Sequence, residues 1–95
     1  QPLDPLSAMA KEEKAASVRL ALASGLQRLP VADRWPIATA LTAHAEDAAD
    51  QNIPLMLWYG IEPMVVADSE RALELLVNCR IPTVRQFIAR RAATP

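Results

Sequence analysis

Asn52-Ile53-Pro54-Leu55-Met56-Leu57-Trp58-Tyr59-Gly60-Ile61-Glu62-Pro63 carries a single charge and both large aromatic types. Proline tolerates the first helical turn, where its missing N–H costs nothing, so Ile53-Pro54 opens a helix. The segment is apolar nearly all round, which predicts a helix buried by neighbours on several sides. Pro63 clashes with the carbonyl four residues before it and is expected to kink or end the helix near Ile61 and Glu62. Gly60 would let a neighbour approach closely. Trp58 and Tyr59 are read as core packing, and Trp58, Tyr59, Gly60, Glu62 and Pro63 form the structural candidates of the chain.

The rest of the chain fits helices around that centre. Hydrophobic residues make up 52% of the sequence and aromatics only 4%, so the core must be built from aliphatic side chains and alanine, which suits closely packed helices. Two glycines are too few for a turn-rich all-β protein. Towards the N-terminus, residues 1–10 read as an extended lead-in with Ser7 as a cap, and residues 11–93 as one helical domain. Val18, Leu22, Leu26 and Leu29 predict an inward stripe on a helix from Lys11 to Leu29, stopped by Pro30. Ile37, Leu41, His44 and Ala48 predict a second helix beginning near Pro36.

Beyond the central segment, Asp68 or Ser69 caps a short helix ending near Asn78, with Leu73, Leu76 and Val77 inward. Cys79-Arg80 makes a turn. Ile81-Pro82 starts the last helix, which buries Val84, Phe87, Ile88 and Ala92 and ends on arginines that suit the negative end of a helix dipole. The expected architecture is all-α, with four to five helices in antiparallel pairs, as in a HEAT-like α-solenoid fragment.

Ten basic and eleven acidic residues nearly cancel, which gives no field that would attract nucleic acid or an anionic membrane. No apolar run is long enough to span a bilayer. The single cysteine, Cys79, excludes an internal disulfide. Beside Arg80 its thiol could ionise more readily, but a small residue at a helix end explains it equally. His44 with Glu46, Asp47 and Asp50 is the one group that could approach a metal, because His44 and Asp47 stand three apart on the expected helix. Two ligands do not make a site, so His44 is read as a boundary histidine bonded to a neighbour and the acids as solvated. Glu62 could be a buried general acid, but no second carboxylate or nucleophile accompanies it. It is therefore expected to bond backbone N–H groups near Pro63 or to pair with an arginine. Arg80, Arg85, Arg90 and Arg91 could form an anionic-partner surface or simply a solvated face. No catalytic, cofactor-binding or metal residue is assigned.

Ser17-Val18-Arg19 with Ala23 recurs as Thr83-Val84-Arg85 with Ala89, and the Ile-Pro opening occurs twice, an arrangement like that of HEAT repeats. Together with the Asn52–Pro63 stretch, Ala72-Leu73 and Ile81-Pro82-Thr83-Val84-Arg85-Gln86-Phe87-Ile88-Ala89-Arg90-Arg91, this resembles the helical segment of large exported haem-binding proteins of planctomycetes, often labelled membrane-bound dehydrogenases. The resemblance covers roughly residues 17–92. It implies a periplasmic or exported parent with a β-propeller before this region and a c-type cytochrome domain after it. The chain contains no CxxCH, so neither haem nor redox chemistry is carried onto any residue here. On this reading the function is a non-catalytic scaffold or spacer. Its partners would be neighbouring domains of the parent, with a homodimer possible through exposed solenoid ends. Two alternatives stay open: a small peptide- or protein-binding module, and an enzyme segment in which Glu62, Tyr59 and His44 belong to a site completed by another domain.

Overall fold

The computed structural model describes residues 8–11 and 14–94, and every regular element among them is helical. Residues 8–11 form a helical turn, so the lead-in is not extended throughout; Ser7 and the residues before it lie outside the described residues. Five longer helices follow: α1 (Ala16–Gly25), α2 (Trp35–Thr42), α3 (Ile53–Ala67), α4 (Ser69–Asn78) and α5 (Pro82–Ala93). Short 3-10 turns, Leu26–Arg28, Val31–Asp33 and Ala45–Ala49, fill the connections between α1, α2 and α3.

Helix α3 is the centre of the packing and touches each of the other four. Its buried line is Ile53, Leu57, Ile61, Met64 and Val65, with Gly60 alongside. The expectation of burial on several sides fails here, because Leu55, Tyr59 and Val66 are exposed on the other face. Nor does Pro63 end the helix, which runs on to Ala67. Proline removes one hydrogen bond, to the carbonyl of Tyr59, and both residues lie on the exposed face, where water can take that carbonyl.

Gly60 faces the chain that follows α1. A Cβ built there would stand 2.7 Å from Cδ2 of the fully buried Leu26, which is closer than real contacts allow. The same junction is tied by Arg34, whose buried guanidinium donates to the carbonyls of Gly60 (2.8 Å), Leu29 (2.9 Å) and Gln27 (3.1 Å). Three backbone acceptors thus satisfy a cation that would otherwise be costly to bury.

Helix α1 is shorter than the 11–29 expectation. Lys14 and Ala15 are not helical, and after Gly25 the chain tightens into a 3-10 turn. Leu29 is then extended, the conformation favoured for a residue before proline. The inward line is also rotated by one residue: Arg19, Ala23 and Leu26 are buried, Leu22 and Leu29 half-buried, and Val18 exposed.

Helix α2 likewise ends at Thr42 and not near Ala48. The hydroxyls of Thr39 and Thr42 donate back to the carbonyls of Trp35 and Ala38 (both 2.8 Å), and His44 leaves helical geometry at ψ 88°. The spacing of Ile37, Leu41, His44 and Ala48 therefore straddles a break. Asp50 restarts the chain as α3, with its Oδ1 accepting from the N–H groups of Asn52 (2.7 Å) and Ile53 (2.9 Å). These bonds satisfy donors that the start of a helix leaves open.

Asp68 caps α4 as expected, accepting from the Arg71 N–H at 3.1 Å. The inward residues of α4 are Ala72 and Leu75, with Leu76 half-buried; Leu73 and Val77 point outward, contrary to expectation. Small Ala72 is wholly buried, on the inward face of α4. The Arg80 N–H bonds the Thr42 carbonyl at 2.8 Å, fastening the α4–α5 turn to the end of α2. In α5, Val84 and Ile88 are buried and Phe87 and Ala92 half-buried. The radius of gyration, 11.9 Å, is that of a closed globule, for which a chain of this length gives about 12 Å.

Candidate functional site

The densest polar cluster lies where α1 meets the turn after α2. Arg19 donates through Nε to Oδ2 of Asp47 and through Nη2 to Oδ1, each at 2.7 Å, and both side chains are buried. A bidentate pair of this kind uses the planar fork of arginine fully. Glu46, mostly exposed, stands 3.8 Å from the same guanidinium and 3.0 Å from Nδ1 of His44. The other ring nitrogen of His44, Nε2, lies 2.7 Å from the carbonyl of Ala10, which can only accept, so Nε2–H is the donor. A chain of contacts thus runs from Asp47 through Arg19 of α1, Glu46 and His44 to the N-terminal turn.

Asp47 was expected to be solvated with the other acids, and it is instead one half of a buried ion pair. It became buried because the segment after Ala43 is not a continuation of α2. The 3-10 turn from Ala45 to Ala49 points Asp47 back towards α1, whereas an α-helix would have set it three residues along from His44. Among the described residues no group of three His, Cys, Asp or Glu side chains is placed to hold a metal. The Glu46 carboxyl is held below the usual range by backbone hydrogen bonding and then by the His44 ring. Asp50 is lowered by the N–H groups of Ile53 and Asn52 that it caps.

Elsewhere the named candidates are dispersed. Trp58 is half-buried and packs its ring against Phe87, with centroids 5.3 Å apart, which joins α3 to α5. Tyr59, read as core, is 49% exposed. The helix phase that buries Leu57, Gly60 and Ile61 carries Tyr59 to the outside. Glu62 is exposed and stands 3.7 Å from Nε of Arg91, the arginine pairing that was one of its two expected roles. The contacts of His44 run instead to Glu46 and the Ala10 carbonyl.

Arg80, Arg85 and Arg90 are exposed and Arg91 half-buried. Cys79 is buried, its thiol 3.5 Å from the Ile81 carbonyl, and burial pushes its pKa up, against the idea of activation by Arg80. Arg71 lies over the ring of Trp35 at 4.8 Å, a cation–π contact between α4 and α2.

Of the residues that carry most of the polar structure, Arg34 was not singled out from the sequence, Arg19 was named only in the repeated Val-Arg element, and Asp47 only as a companion of His44. A signal existed for Arg19, which stands four and seven residues before Ala23 and Leu26 and so shares their face. Nothing comparable marks Arg34, whose acceptors are backbone carbonyls.

Beside this cluster a cleft of about 630 Å³ opens between the N-terminal turn, α2 and the end of α4, with Lys11, His44, Asn78 and Arg80 on its wall. Among the described residues no carboxylate lines it. No helix among the described residues is long and apolar enough to cross a membrane. Compared with protein-family models, curated proteins and solved structures, the chain matches none.

Proposed function

We propose that this chain is a non-catalytic helical interaction module, a scaffold or spacer of HEAT-like solenoid type within a larger exported protein of the dehydrogenase or cytochrome kind. The observation that carries the interaction role is the placement of the exposed large apolar residues. Leu55, Tyr59 and Val66 follow one line along α3, and Leu73 and Val77 stand four apart on α4. Scattered apolar residues are ordinary on a protein surface, whereas rows along helix axes are the form in which another helix packs.

The occupant that suits them is a helix of an adjoining repeat in the same polypeptide. Between α4 and α5 a shallow groove of about 320 Å³, bordered by Leu73 and based on Ala89, Ala92 and Ala93, offers the close approach that such packing needs. The solenoid character and the exported parent rest on the repeated Val-Arg element and the resemblance. The present residues do not fit covalent haem attachment, since the one cysteine is buried and belongs to no CxxCH. A haem in the parent would belong to another part of it.

Sedimentation with a hydrophobic dye tests the reading. The isolated chain is expected to self-associate or bind dye, and the double substitution Val66→Glu with Leu73→Glu to abolish both without changing the helical circular dichroism. A strict monomer with no dye-accessible patch would remove the basis for an interaction surface.

A further inference from the structure

We propose that the cleft between the N-terminal turn, α2 and α4 binds a small organic anion, with a carboxylate or phosphate head and a compact apolar body. This does not rest on the helix-docking role above, with which it shares only Val77 at the end of α4. The cleft's volume, about 630 Å³, falls within the range of small-molecule sites, roughly 300–1,000 Å³. Among the described residues its charged wall is one-signed although the whole chain has a net charge of −1, so the bias is local.

Lys11, in the N-terminal turn, and Arg80, just after α4, supply two cations. Among the described residues neither has a carboxylate within ion-pair distance, unlike Arg19 and Arg91, which are paired. The amide nitrogen of Asn78 spends one hydrogen on the Glu74 carbonyl at 3.1 Å and keeps a second for a ligand.

His44 has another part. Both of its ring nitrogens are committed, Nε2 to the Ala10 carbonyl and Nδ1 to Glu46, so it holds the N-terminal turn in place and with it the neighbouring Lys11. The opposing influence is the C-terminal ends of α2 and α4, which meet at the cleft and each present about half a negative charge. Two full cations outweigh them, and one of the terminal carbonyls of α2, that of Thr42, is already taken by the Arg80 N–H.

The remaining wall is mostly apolar, from Pro36, Ala40, Ala43 and Val77, and the hydroxyl of Thr39 there is spent on the Trp35 carbonyl. Val77 is 75% exposed, and a ligand with an apolar body would cover it where a bare inorganic ion would not. The chemistry shared by carboxylates and phosphates is an oxyanion held by a guanidinium and an ammonium, the former capable of a bidentate contact.

Amide chemical shifts followed in parallel titrations with butyl phosphate, valerate, inorganic phosphate and butylammonium, at fixed ionic strength, test the proposal. The expected result is saturable shifts at Lys11, Thr39, Ala40, Val77 and Asn78 with one or both organic anions, and none at Leu55 or Val66. Lys11→Gln with Arg80→Gln should weaken binding by about tenfold or more while leaving the spectrum of the core unchanged. Shifts with butyl phosphate alone would fix the head as a phosphate, and with valerate alone as a carboxylate, both within the proposal. Equal binding of inorganic phosphate would overturn the apolar-body part. Binding of butylammonium, no saturable shift, or undiminished affinity in the double variant would overturn the site.

Discussion

Arg19 with Asp47 and Arg91 with Glu62 are both arginine–carboxylate pairs, but they belong to different physical regimes. The first is buried and bidentate, with two contacts at 2.7 Å; the second is a single contact at 3.7 Å between half-exposed side chains. Coulomb attraction at the surface is weakened by water and salt, and such pairs are worth about 0–1 kcal/mol. In the interior, loss of one partner strands the other charge away from water. Sequence surroundings suggested the reverse order, since Glu62 sits in the most apolar stretch of the chain and Asp47 among acids and small residues. Helix phase decides burial, and apolar neighbours in sequence do not.

The contrast is sharpest under substitution. Asp47→Ala leaves the Arg19 guanidinium buried without its carboxylate and is expected to cost about 3–5 kcal/mol, measured as a fall in the urea midpoint. Replacing both partners together, Arg19→Met with Asp47→Leu, should cost much less than that, because no charge is left stranded. Gly60→Ala comes next, at about 1–3 kcal/mol, because the new methyl group meets Leu26, itself fully buried and without room to retreat.

Acid should act through the exposed carboxyls that the fold keeps ionised. The Asp50 pKa is lowered in the folded state, so its contribution is fully present above the unfolded value and is lost as pH falls through the folded one. Stability should therefore decline below about pH 4, and Asp50→Asn should flatten that decline in urea midpoints taken across the acid range. Glu62→Gln is the smallest change, expected within about 0.5 kcal/mol at neutral pH.

These outcomes also separate what could be read in the sequence from what could not. Helical class, the Ile-Pro starts of α3 and α5, the Asp68 cap and the end of α4 at Asn78 were legible because each depends on residues a few positions apart. Close approach at Gly60 was legible in the same way, although its partner Leu26 was not. Phase was the weak point: Val18, Leu73 and Val77 carry the right residue type and spacing for a buried stripe, but the packing of Arg19, Ala23 and Ala72 turns them outward. The break at His44 was hidden because four-residue spacing continues across it, while the bond its ring makes to Ala10 joins positions far apart in the chain. Arg34 was illegible for a related reason, since all its acceptors are main-chain oxygens that every residue possesses. The cleft depends on the N-terminal turn returning to α2 and α4, a long-range event with no local pattern.

Cys79 gives an independent reading of the same interior. Its thiol is expected to react with a thiol reagent only as fast as the protein unfolds, and Asp47→Ala should accelerate that reaction while Glu62→Gln leaves it unchanged.

The most direct measurement is a pair of double-mutant cycles by equilibrium urea unfolding, one on Arg19 and Asp47 and one on Glu62 and Arg91. A coupling energy of about 2 kcal/mol or more in the first cycle and below about 0.5 kcal/mol in the second is the predicted result. Couplings of equal size, or a larger one for Glu62 and Arg91, would contradict the assignment of the buried pair as the polar anchor of the fold.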